Sequence, residues 1–150
     1  MPAARAVSIQ SNDVAALVND KFARLARQLR NLDLPTGMTP ERMSAMSAIS
    51  ADGPISVTAL ADREIVRPAT MSRMVSALVD DGLARRLDDK SDGRGVLVAA
   101  TAKGRRLYQR AHDQRLRQLG DILKSLPKDQ LAALRGLANA LDHLTMALDR

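Results

Sequence analysis

Apolar residues recur at steps of three and four along most of the chain, which is the spacing of one face of an α-helix. The stripe over residues 13–32 predicts a first helix that ends before Pro35. Thr39 as N-cap and Pro40 at the first helical position predict the start of a second helix, and the Asp-Gly-Pro sequence at 52–54 ends it. The N-terminal third of the chain is therefore predicted to contain two helices.

The middle of the chain is predicted to contain two shorter helices followed by a hairpin. Ser56 is the predicted N-cap of a helix that must end before Pro68, because the residue before a proline is disfavoured in the helical region. Pro68 starts the next helix and Gly82 stops it. Two short apolar runs, 83–87 and 96–100, then flank a polar segment that contains glycine, which predicts a β-hairpin with a long tip.

Two long helices are predicted at the C-terminal end, the first capped by Thr101 and the second beginning after Pro127. The second helix carries a seam of leucines suited to contact with another helix: Leu131, Leu134, Leu137, Leu141, Leu144 and Leu148. A single thin chain covers such stripes poorly, so we expect a second copy to cover them, with packing inside one chain as the alternative. The residues expected at this dimer interface are Val14, Leu17, Leu123, Leu134, Leu141 and Leu144.

The charge balance points to a polyanionic partner. The 150 residues include 23 Lys+Arg and 17 Asp+Glu, for a formal net charge of +6. Phe22 and Tyr108 are the only aromatic residues, so the chain has no stacking platform for unpaired bases. Double-stranded DNA is therefore the expected partner.

The residue types that are missing argue against an enzyme. The chain has no cysteine, which excludes a disulfide scaffold, a thiolate zinc site and a cysteine nucleophile. It also has no Gly-rich phosphate loop and no H-E-x-x-H motif, and its two histidines, His112 and His143, stand on separate predicted helices. We therefore expect no catalysis, no cofactor and no metal site. A signal-peptide run and a stretch of about 18 apolar residues are both missing, which favours a cytoplasmic protein without a membrane partner.

Helix, turn, helix and hairpin, in that order, predict a winged helix-turn-helix, whose second helix enters the major groove of DNA with its N-terminal part nearest the bases. Short side chains there let the backbone approach, and Arg73 is long enough to pair with guanine O6 and N7. The alternative is an amphipathic helix with a solvated face. The groove contacts predicted on this helix are Pro68, Ala69, Thr70, Ser72, Arg73 and Ser76.

The hairpin adds a second set of predicted DNA contacts. Asp92 and Arg94 are two residues apart, so on extended backbone they point the same way, and the carboxylate can aim the guanidinium at a narrow minor groove. The alternative is a solvated turn with a weak surface ion pair. Arg85 and Arg86 are candidate phosphate contacts, and Lys90 in the hairpin is a further expected DNA contact.

Several short motifs stand in a fixed order along residues 39–104. They are Leu60-Ala61, Ser72-Arg73, Leu78, Gly82-Leu83, Arg85-Arg86, the run Asp-Gly-Arg-Gly-Val-Leu-Val at 92–98, and Thr101 followed by Gly104. In this order and spacing the stretch resembles the MarR family (multiple antibiotic resistance regulators). The chain departs from the family pattern at Glu64 and Ile65, where leucine and then a small residue such as glycine are usual, and at Ala100, where leucine is usual.

The resemblance implies a mainly α fold with a small β-hairpin wing. It implies a helical dimerisation region formed by residues 1–37 and 101–150, and a winged helix-turn-helix DNA-binding domain at 38–100. The expected function is that of a homodimeric transcription regulator, a repressor bound to an inverted-repeat operator and released by a small, often aromatic or phenolic, ligand. The alternative is an architectural protein that binds DNA without sequence specificity.

Tyr108 and His112 are one helical turn apart and carry two interpretations. The favoured one is a buried, hydrogen-bonded pair at the dimer seam, and the other is a role in ligand binding. Most of the seven methionines are expected to fill the helix core. Methionine also adapts its shape to varied ligands, so Met43 and Met46 join the two rings as a candidate ligand pocket.

Overall fold

The computed structural model describes residues 11–32, 34–35, 37–89 and 95–148, which form helices and three short strands. In chain order these elements are α1 (Ser11–Arg30), α2 (Pro40–Asp52), β1 (Ile55–Ser56), α3 (Val57–Arg63), α4 (Pro68–Asp80), β2 (Ala84–Asp88), β3 (Val96–Ala100), α5 (Ala102–Lys124) and α6 (Lys128–Leu148). By contacts within the chain, α1 belongs to one compact unit and the elements from α2 onward belong to a second. The mainly α fold with a small hairpin is confirmed, whereas the grouping of 1–37 with 101–150 stays a prediction.

Three helices begin at the hydroxyl side chains predicted as N-caps. A capping oxygen accepts a hydrogen bond from an N–H of the first turn, which would otherwise have no partner. The pairs are Thr39 with Arg42 N at 3.3 Å, Ser56 with Ala59 N at 3.1 Å, and Thr101 with Gly104 N at 3.0 Å. The chain therefore fixes where α2, α3 and α5 begin by local chemistry.

The strands form one antiparallel sheet in the order β1-β3-β2. The predicted hairpin is confirmed, and its register pairs Ala84 with Ala100 and Arg86 with Val98. Strand β1 was missed by the sequence analysis, because two residues are too few to show alternation. It pairs Ile55 with Val98 and so ties the start of α3 to the hairpin.

The second unit has an apolar core, and we call the part from α2 to β3 the winged lobe. No polar or charged side chain is buried among the residues that the structure describes. Burying a large aliphatic side chain stabilises a fold by about 1.5–3 kcal/mol, so these contacts hold the lobe together. The largest fully buried side chains are Met46, Ile49, Leu60, Val75, Leu78, Leu83 and Val98.

Helix α5 begins in direct contact with the backbone that links α4 to β2. The Thr101 hydroxyl donates to Gly82 O at 2.7 Å, and Thr101 N donates to Leu83 O at 3.0 Å. Gly104 lies so close to the same backbone that a Cβ on it would sit 1.9 Å from Leu83 O. Only glycine allows this approach, so Thr101 and Gly104 together seat α5 on the lobe.

Replacing Gly104 with alanine should therefore destabilise the protein. The added methyl group would force backbone apart, and overpacking of this kind costs about 1–3 kcal/mol or more. The free energy of unfolding in urea measures the effect. Gly120→Ala, in the same helix with open space around it, is the matched control and should raise stability by about 1 kcal/mol. Equal effects of the two substitutions would contradict the close approach.

The turn between α3 and α4 contains Glu64 and Ile65, the two residues that depart from the family pattern. Glu64 is the C-cap of α3, and Ile65 follows in the left-handed region with φ 53°. Ile65 N donates to Asp62 O at 3.1 Å and Val66 N donates to Ala61 O at 3.0 Å. These two bonds define a Schellman motif, in which glycine usually takes the place of Ile65. The turn therefore keeps its geometry with a strained β-branched residue.

Releasing this strain should stabilise the protein. Ile65 is 92% exposed, so its side chain contributes little packing within the chain. Asparagine tolerates the left-handed region, so Ile65→Asn should raise the free energy of unfolding by about 1 kcal/mol, measured at matched protein concentration. Ile65→Val keeps the β-branch and should change it by less than about 0.5 kcal/mol. A loss of stability in Ile65→Asn would refute the strain.

Candidate nucleic-acid interface

Helix α4 has one buried face and one exposed face, as predicted. Met71, Val75 and Leu78 are buried in the winged lobe. The exposed face holds five of the six groove contacts predicted on this helix, Pro68, Ala69, Thr70, Ser72 and Arg73, while Ser76 is half-buried. The core therefore fixes which side of α4 is available to a partner.

The N-terminus of α4 lacks the side-chain cap that α2, α3 and α5 have. Its N-cap is Arg67, which makes no capping hydrogen bond, and its first turn contains no acidic residue. Pro68 has no N–H, and Thr70 N donates to Arg67 O at 2.9 Å, so the N–H of Ala69 and the positive end of the helix dipole face an external acceptor, such as a phosphate or base oxygen. The sequence analysis did not single out Arg67, although its place directly before Pro68 could have marked it as a cation at this helix start.

Arg73 is the exposed cation of this face. Its Nε lies 3.4 Å from Ala69 O, one helical turn toward the N-terminus of α4. No carboxylate among the described residues forms an ion pair with it. By contrast, Arg42 of α2 pairs with Asp81 at 2.7 Å and also donates to Gly37 O at 2.9 Å. Arg42 is structurally engaged, whereas the charge of Arg73 is available.

The two arginines predicted as phosphate contacts project from opposite faces of the hairpin. Arg86 donates from Nη2 to Ser76 Oγ at 2.9 Å, which joins β2 to α4. Neighbouring residues of a strand alternate, and Arg85 lines a cavity with Ile49 of α2 instead. Contact with phosphate stays a prediction for both, but the two side chains belong to different surfaces.

The hairpin tip contains three predicted contacts, Lys90, Asp92 and Arg94, and all three lie outside the described residues. The described ends of the tip segment are held together, because Asp89 N donates to Gly95 O at 2.9 Å. The roles of Lys90, Asp92 and Arg94 therefore stay predictions.

Tyr108 and His112 form the expected ring pair, with centroids 5.9 Å apart and planes inclined by 30°. Both rings are half-buried in the single chain, and their burial at a dimer seam stays a prediction. Tyr108 donates its hydroxyl hydrogen to Ser47 Oγ at 3.1 Å, a partner 61 residues away that the sequence analysis missed. Of the candidate pocket's other members, Met43 and Met46 are buried in the lobe core. A ligand there stays a prediction.

The residues predicted at a dimer interface keep substantial exposure. In the first unit, Val14 and Leu17 on α1 are exposed. In the second unit, Leu134 and Leu144 on α6 are exposed, while Leu123 on α5 and Leu141 on α6 are half-buried. Apolar surface of this extent is therefore available to a partner.

The part of the chain that the structure describes lacks two other kinds of site. There, no three histidine, aspartate or glutamate side chains gather in a way that could hold a metal ion. No helix in that part has both the length and the apolar character needed to cross a membrane.

The sequence of this chain is similar to a known protein family and to several of its members. Residues 38–96 match the MarR family model. An HTH-type transcriptional regulator of Mycobacterium leprae is 35% identical over 118 residues, 79% of this chain and 82% of the relative. The multiple antibiotic resistance protein MarR of Salmonella typhimurium is 30% identical over 122 residues, 81% of this chain and 83% of the relative.

A solved structure supports the same assignment. The structure described as the multiple antibiotic resistance repressor MarR is 27% identical, with a TM-score of 0.72, and the match covers 89% of this chain and 95% of that one. Sequence and fold thus agree over most of the chain. The chain belongs to the MarR family of DNA-binding transcription regulators.

Proposed function

We propose that the protein is a homodimeric transcription repressor that inserts α4 into the major groove at each half of an inverted-repeat operator. The observation that carries the proposal is the exposed face of α4. There a helix start without a side-chain cap and several small side chains lie beside Arg73, which forms no ion pair with a described carboxylate. A relative described as a repressor supports the sign of regulation. The names of the relatives support regulation rather than catalysis.

The chemistry of this face suits base edges as well as phosphates. Ala69 and the methyl group of Thr70 are exposed and can contact a thymine methyl. Arg73 can donate to guanine O6 and N7 without first breaking an ion pair to a described carboxylate. Arg86 holds β2 to Ser76 of α4, so the hairpin and the helix approach the duplex as one body.

A second copy of the chain is the expected partner of α6. Five of its leucines are 36–77% exposed in the single chain: Leu131, Leu134, Leu137, Leu144 and Leu148. A two-fold axis would bury this seam and place two α4 helices one DNA turn apart, about 34–36 Å. The operator should therefore be an inverted repeat. A protein with this role works beside the genome, in keeping with the expected cytoplasmic location.

The proposal also includes a small aromatic or phenolic effector that releases the repressor from DNA. Within one chain, Met43 and Met46 fill the core and Tyr108 is bonded to Ser47, so a ligand at the candidate pocket with His112 would have to displace one of these contacts. Such a ligand releases DNA only if it prefers the dimer geometry that misplaces the two lobes.

A DNA titration tests recognition. Full-length protein should bind a duplex from upstream of its own gene at least about 10³-fold more tightly than a random duplex at the same salt concentration. Arg73→Ala should reduce this ratio about 10-fold or more, because each half-site loses one base contact. Affinity for random duplex should fall much less.

Arg117→Ala is the matched control for Arg73→Ala, since it removes one exposed arginine charge from α5 instead of α4. It should leave the specificity ratio unchanged. Equal affinity of the unmodified protein for both duplexes would favour the architectural DNA-binding alternative and sink the operator proposal.

The dimer is tested separately, on α6. Leu134→Glu combined with Leu144→Glu places charges in the proposed seam and should raise the dimer dissociation constant at least about 100-fold, as measured by analytical ultracentrifugation. Operator affinity should fall with it. Asn139→Glu adds one such charge at an exposed polar position of α6 and should leave the dimer intact. A double variant that stays dimeric shows that this seam is not the interface.

A further inference from the structure

A cavity of about 210 Å³ lies beside the hairpin, on the face from which Arg85 and Leu87 project. Its walls combine elements that are distant in sequence: the end of α2, both hairpin strands and the first turn of α5. The apolar part of the wall is formed by Ile49, Leu87, Ala99 and Ala100. None of these residues was predicted to bind a ligand, and the cavity is separate from the candidate pocket at Tyr108.

The cavity exists where this chain has a small side chain. Ala99 is buried, lines the cavity and pairs with Arg85 across the hairpin, so its side chain lies on the cavity face. Ala100 pairs with Ala84, so its side chain lies on the core face of the hairpin. A side chain larger than alanine at position 99 would occupy space that is open in this protein.

Two arginines border the apolar wall. Arg105 donates from Nη1 to Ala100 O at 2.7 Å, which holds its guanidinium at the cavity and leaves its other N–H groups for a further acceptor. Arg85 lines the same cavity. Among the described residues neither arginine has a carboxylate partner, and the nearby Asp52 is paired with Arg63. The cavity thus has an apolar wall and positive charges that are not neutralised.

A larger cavity, of about 500 Å³, differs in this respect. It is bordered by Arg42 and Lys103, but Arg42 is paired with Asp81 at 2.7 Å. Lys103 donates to Asp81 O at 2.7 Å. Its cations already serve the fold, so the smaller cavity is the better anion site.

We propose that the smaller cavity binds a monocarboxylate with a compact apolar group of about six to eight carbon atoms. Its volume corresponds to about seven water molecules at about 30 Å³ each, which fits such a group but not a nucleotide. The carboxylate accepts hydrogen bonds from Arg85 and Arg105, and the apolar group lies against Ile49, Leu87 and Ala99. An inorganic anion would leave the apolar wall uncovered.

Isothermal titration calorimetry of the full chain with hexanoate tests this site. Hexanoate should bind saturably with one molecule per chain, and its neutral isostere hexanamide should bind at least about tenfold more weakly, because it lacks the charge that the arginines recognise. Alanine-methyl NMR should show the largest shift at Ala99. Because no DNA is present, the outcome is independent of the operator titration.

Variants separate the apolar and the charged parts of the site. Ala99→Leu should abolish binding by filling the cavity, with the circular dichroism spectrum of the folded protein retained. Arg105→Gln should weaken hexanoate binding at least about tenfold without affecting hexanamide. Arg106→Gln, an exposed neighbour on α5 that does not line the cavity, is the matched control and should bind as the unmodified protein does.

Three results would overturn the proposal. They are no saturable binding of hexanoate up to about 10 mM, about the same affinity for hexanoate and hexanamide, or methyl shifts centred away from Ala99. If Ala99→Leu fails to fold, the comparison of Arg105→Gln with Arg106→Gln still decides between specific binding and none.

Discussion

The hydroxyl group of Thr101 makes the contact on which the geometry of the second unit depends. It accepts from Gly104 N to begin α5 and donates to Gly82 O, where the chain leaves α4. The absence of a Cβ on Gly104 lets α5 rest on the carbonyl of Leu83, the residue before β2. One side chain and one missing side chain thus fix three elements at a single point, so α4 cannot turn without moving the hairpin and α5.

Around this point the arginines divide into those that hold the fold and those that stay available. Arg42 and Arg63 have carboxylate partners, and Arg86 is bonded to Ser76. Arg73 and Arg85 have no ion pair among the described residues. A net charge of +6 by itself says only that a polyanion is favoured. Because Arg73 on α4 has no ion-pair partner among the described residues, α4 is the surface where we expect the polyanion to bind.

Features set by neighbouring residues could be predicted from the sequence, and features set by distant contacts could not. Thr39, Ser56 and Thr101 were identified as caps because a cap depends on residues two or three positions away. The bond from Tyr108 to Ser47 spans 61 residues and leaves no local pattern. The adjacent pair Arg85 and Arg86 was predicted as one kind of contact, because only the packing of each face reveals that one arginine meets α4 and the other a cavity.

The magnitudes explain why a dimer is needed for the proposed function. A specificity ratio of about 10³ corresponds to roughly 4 kcal/mol. One good bidentate contact, such as Arg73 to guanine, supplies about 1–3 kcal/mol, and apart from Arg67 at the N-cap the other exposed side chains at the start of α4 are small. A single lobe is therefore too weak a discriminator. In the proposed dimer, two lobes linked by α6 would contribute their contacts together, because binding of the first raises the effective concentration of the second. The small side chains on α4 therefore make the proposed function depend on dimerisation, for which the exposed leucines of α6 are available.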